Sequence, residues 1–73
     1  MTDIAECPRR DELVEETQRT LLKLAELARH QAEALRSDAD NLVMTLDMEI
    51  EKTLGHKERT LGALREHRKE HGC

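Results

Sequence analysis

Phe, Trp and Tyr are absent from this 73-residue chain. Binding pockets are usually lined by aromatic and apolar side chains around a few converging polar groups, so there is little here from which to build one. Proline occurs once and glycine three times, which leaves few positions that break a helix. There is no run of about 18 apolar residues, so no transmembrane helix is expected. The opening MTDIAECPRRDE lacks the apolar centre of a signal peptide. A reducing cytoplasmic location is therefore expected, where disulfides are rare. A basic excess is missing too. The formal net charge is −4, which argues against a nucleic-acid partner and against docking on an anionic membrane.

What the chain does contain is Leu, Ala, Glu, Lys and Arg, with eleven Leu and 38% charged residues. These are strong helix formers, and they predict an all-α protein. At this length one domain is expected, and such domains usually lean on a staple, a metal or a partner.

Pro8 suits the first turn of a helix, where a missing N–H costs nothing. Asp11, Glu12, Glu15 and Glu16 follow, and acids favour the positive end of a helix dipole. Val14, Leu21, Ala28 and Leu35 then recur every seven residues. Leu24, Ala25 and Ala32 lie beside them, and Leu13 and Leu27 widen the stripe, giving a helical period. The first helix is predicted from about 8 to about 36. Ser37-Asp38-Ala39-Asp40-Asn41 favours caps and turns, and Ser37 with Asp40 has the spacing of a capping box. Val43, Leu46, Ile50, Leu54, Leu61 and Leu64 mark a second helix, from about 40 to about 71 and ending at Gly72. Thr53-Leu54-Gly55 repeats as Thr60-Leu61-Gly62 one heptad later. Two glycines on one side of a helix either permit close backbone approach or merely weaken it.

Charge falls in blocks. Residues 1–16 carry net −4, 17–36 net +2, 37–51 net −5 and 52–73 net +3. Folding near residue 40 sets each block against its opposite, whereas a parallel in-register dimer sets like against like. The same contacts arise from a hairpin or from two continuous helices paired antiparallel. The stripe around Leu21, Leu22, Leu24 and Leu27 is wider than one neighbouring helix covers. The expected fold is thus an antiparallel helical hairpin with coiled-coil-like packing, dimerising into a four-helix bundle.

Two functional readings follow. The first is a non-enzymatic interaction or structural protein, a homo-oligomer or the partner of another helical protein. Its face would be Leu21, Leu24, Leu27, Leu35, Leu46, Ile50, Leu54 and Leu61, with Met44 and Met48 as soft surface beside it. No cofactor is expected on that reading. The second concerns the ending REHRKEHGC. A turn near residue 40 brings Cys7 beside it, and helical spacing puts His67 and His71 on one face. Cys7, His67, His71 and Cys73 form a tetrahedral zinc ligand set, or the two thiols a redox pair. There is no Cys-x-x-Cys pair to strengthen this, and solvated polar residues near frayed ends are the plainer account. Cys7 before a helix start is also a candidate reactive thiol. His30 and His56 read as solvated face positions. No His has Glu three residues before it, which argues against a di-iron site. Ser37 is followed four residues on by Asn41, not by Asp, so the motif of helical-hairpin phosphatases is absent. No enzymatic activity is expected.

Overall fold

A computed structural model of the chain describes residues 7–71 and the side chains of residues 8–70. Two helices make up almost all of it: α1, Cys7–Arg36, and α2, Asp40–His71. They pack antiparallel as a hairpin, and no strand occurs among the described residues. The continuous-helix alternative is thereby settled in favour of the hairpin.

Pro8 lies in the first turn of α1 as expected. The helix begins ahead of it, however, so its first turn holds no acid. Asp11 and Glu12 fall in the second turn, where the dipole effect has largely faded.

The chain reverses without glycine or proline. The Asp38 N–H donates to the Leu35 carbonyl at 3.2 Å and the Ala39 N–H to the Ala34 carbonyl at 2.9 Å. These two bonds define a Schellman ending, in which one residue takes the left-handed conformation. That residue is Asp38, with φ of 58°, a conformation Asp tolerates at some cost. Ala34 is buried and Ala39 half-buried beneath the turn, which supplies the apolar contact such endings use. The Ser37–Asp40 capping pair is not formed. Ser37 Oγ donates back to the Glu33 carbonyl at 3.0 Å, and the first bond of α2 runs from the Val43 N–H to the Ala39 carbonyl at 2.9 Å.

On α1 the residues turned from solvent include Arg10, Leu13, Thr17, Thr20, Leu24, Leu27, Gln31 and Ala34. Just before and along α2 they include Ala39, which precedes the helix, and then Val43, Leu46, Ile50, Thr53, Lys57, Thr60, Leu64 and His67. Both sets advance by alternating steps of three and four, the spacing that keeps one stripe facing a neighbouring helix. The content of this seam is unusual. Its buried apolar residues are Leu13, Ala34 and Leu64, while Thr17, Thr20, Thr53, Thr60 and His67 are buried beside them.

The threonines fit because each satisfies its hydroxyl within its own helix. Thr17 Oγ1 donates to the Leu13 carbonyl at 2.7 Å, Thr20 to Glu16 at 2.8 Å, Thr53 to Glu49 at 2.8 Å and Thr60 to Lys57 at 3.2 Å. With the hydroxyl turned back onto the helix, the methyl group is left to pack. The repeated Thr-Leu-Gly triplet thereby gains a meaning. Thr53 and Thr60 enter the seam, Leu54 and Leu61 sit one step round on its flank, and Gly55 and Gly62, both half-buried, come a further step round the helix.

Candidate interaction surface

The two flanks of the seam differ in chemistry. In an antiparallel pair, the residue just after the second inward position of each heptad lies on the same flank for both helices, and the residue just before the first lies on the other. One flank is polar. His56 Nε2 and Glu16 Oε2 approach to 2.8 Å across it, and Thr20, Lys23, Glu49 and Lys52 line a cleft beside His56. His56 is therefore not the solvated face position expected of it but the partner of a carboxylate on the facing helix. A neighbouring cleft combines Arg9, Arg19 and Arg59 with Glu12, Glu15 and Glu16. Positive and negative groups balance there, so it has no excess charge with which to select an ion.

The other flank is apolar along α1, where Val14, Leu21, Ala28 and Leu35 lie on it, while on α2 Leu54 and Leu61 stand between Asp47 and Arg68. Leu21 is 45% exposed, Leu35 60% and Leu54 38%. Further round α1 come Gln18, Ala25 and Ala32, all exposed. Val14, Gln18, Leu21, Ala25, Ala28, Ala32 and Leu35 thus form a second stripe with its own three–four spacing. It is set one residue on from the seam and so about 100° round the helix. Leu22, 71% exposed, stands beside it, and Gln18, Leu21 and Leu22 line a shallow depression. Met44 and Met48 are exposed on α2.

The eight residues expected to form one leucine-rich face are therefore divided. Leu24, Leu27, Leu46 and Ile50 sit in the seam, half-buried, and hold the hairpin together. Leu21, Leu35 and Leu54 are exposed, and Leu61 is half-buried on the flank they share. The single stripe read from the sequence is two stripes about 100° apart. The signal that separates them is the threonine at seam positions, which completes the inner heptads.

At the open end, α1 begins at Cys7 and α2 reaches His71. His67 is buried in the seam. Cys73 and the side chains of Cys7 and His71 lie outside the described residues. Among the described residues no three His, Cys, Asp or Glu side chains gather where they would hold a metal ion. His30 is exposed. No helix among the described residues is long and apolar enough to cross a membrane. Comparison with protein-family models, with curated proteins and with solved structures found no match.

Proposed function

We propose that this chain is a non-enzymatic helical interaction protein that works through the apolar surface outside its seam. On this reading coiled-coil packing closes the hairpin, and a further helical surface completes it as a four-helix bundle. One observation carries the proposal. Threonines occupy the inside while Leu21, Leu22, Leu35, Met44 and Met48 stand at 45% exposure or more outside. A monomer gains nothing from that distribution, whereas contiguous exposed apolar surface is what partners bury. The zinc or thiol module at Cys7, His67, His71 and Cys73 is a second reading, supported by the burial of His67 at that end. A melting curve unmoved by chelator and by Cys73→Ser removes it.

The test places a photo-reactive amino acid at Leu22, or at Lys52 on a polar outer face, in cells that make the protein. Covalent adducts with protein from position 22 but not from position 52 are expected. No adduct, or equal adducts from both, overturns the proposal.

A further inference from the structure

The apolar stripe on α1 has features that select its occupant. It contains no charged residue: Val14 and Leu35 mark its ends, Ala25 and Ala28 its middle, and Gln18 is its most polar member. The corresponding stripe on α2 passes through Asp47, Glu51, Glu58 and Arg65. Packing α1 of one molecule on that surface of another would bury those charges against alanine and leucine, at high cost. Packing α1 on a second α1 buries none.

Orientation follows from the residues one place beyond the stripe, which are Glu15, Leu22, Arg29 and Arg36. A parallel pair would set Glu15 against Glu15 and Arg36 against Arg36. An antiparallel pair sets Glu15 against the partner's Arg36 and Leu22 against the partner's Arg29. The small residues Ala25, Ala28 and Ala32 let two helix axes approach closely at the centre. The thin core gives a reason for the contact, since no large side chain in the hairpin is fully buried among the described residues.

We infer that two copies of this chain dock antiparallel through the Val14–Leu35 stripe of α1, with the two-fold axis near Ala25 and Ala28. The inference rests on the interaction reading above and names its partner as a second copy. The dimer is isologous, the same patch serving on both molecules.

Adjacent leucines make the decisive test. Leu21 lies in the stripe and Leu22 just beside it, and both are too exposed in the hairpin for a charge to unfold it. Sedimentation of the purified full chain should show a dimer. Leu21→Glu should raise the dissociation constant by at least about 100-fold without loss of helix content, because it buries a charge at the contact. Leu22→Glu should leave the dimer at least as tight, since it faces the partner's Arg29. Spin labels check direction, in a Cys7→Ser, Cys73→Ser background. Labels at Glu26→Cys, near the axis, should lie close together. Labels at Glu12→Cys should stand roughly 40 Å apart, twice fourteen residues of helix rise.

A monomer at every concentration, equal damage from both glutamates, or close labels at both positions would each overturn the inference. A purified monomer whose position 22 still reacts in cells with a different protein sinks the self-docking and leaves the interaction reading intact. An absence of adducts sinks both.

Discussion

The seam between the helices and the outer face of α1 make an instructive pair. Both are heptad stripes on the same helix, and both avoid acidic residues at their central positions. The seam carries Thr17, Thr20 and Gln31 among its leucines, whereas the outer stripe carries Val14, Leu21, Leu35 and three alanines, with Gln18 as its one polar member. By composition alone the outer stripe is the better core. The seam compensates with satisfied hydrogen bonds. Its threonines bond their own helices, and Gln31 Nε2 donates to the Val43 carbonyl at 3.2 Å and to Asp47 Oδ1 at 3.3 Å. The Gln31 bonds cross the seam and help fix which residues face each other, whereas the threonine bonds stay within one helix and only offset the cost of burying a hydroxyl. The hairpin is thus closed by a partly polar seam, while Leu21, Leu22 and Leu35 of α1 stay exposed.

The contrast can be broken with paired substitutions measured by urea denaturation in dilute protein. The largest effect is expected at Leu64, buried in the seam: Leu64→Ala should cost about 2–4 kcal/mol. Leu22→Ala on the exposed face should stay within about 0.5 kcal/mol. Comparable losses at the two would mean that inside and outside have been wrongly distinguished. Gly62→Ala should stabilise the hairpin by about 1 kcal/mol, because a Cβ there meets nothing within 4 Å. A loss of stability would show that the open space at Gly62 is occupied in solution.

Thr53→Val sharpens the account of the seam. It exchanges a hydroxyl already satisfied by its own helix for a methyl group, and should add roughly 0.5–1 kcal/mol. Destabilisation by Thr53→Val would show that the hydroxyl is needed for more than its bond to Glu49. An effect as small as that of Leu22→Ala is expected on the polar flank. His56→Ala should cost about 0.5 kcal/mol or less, since His56 and Glu16 are 42% and 45% exposed. A change in midpoint above that would make the cross-helix contact a principal clasp.

Much of the fold is legible in the amino-acid sequence. Ser37 to Asn41 compete for backbone hydrogen bonds, and the chain reverses there. The alternating charge blocks call for antiparallel neighbours, and the helices run that way. The division of the leucines is not legible, for a physical reason. Threonine counts as polar in a pattern of apolar spacings, yet inside a helix its hydroxyl returns to the preceding turn and its remainder packs as a small apolar group. Reading Thr17, Thr20, Thr53 and Thr60 as inward residues brings Leu13, Leu24 and Leu27 into one register and moves Leu21 and Leu35 to another. The role of His56 is hidden for a similar reason. Its partner, Glu16, lies 40 residues away, a distance no local pattern reports. Of Cys7, His67, His71 and Cys73, only His67 has a described side chain, and its place in the seam follows from the same three–four spacing as the threonines.

The turn at Asp38 also gives the molecule an order in time. Gln31 and the Val43 carbonyl close a loop of 12 residues, whereas Glu16 and His56 close one of 40. Chain entropy makes the longer closure costlier by about 1 kcal/mol when it is made alone. Once the short loop is shut, each further layer is brought close by the one before it. Loop closure alone thus predicts assembly like a zip from Asp38 outwards, with amide exchange fastest at the far end, where Arg10 and His67 sit.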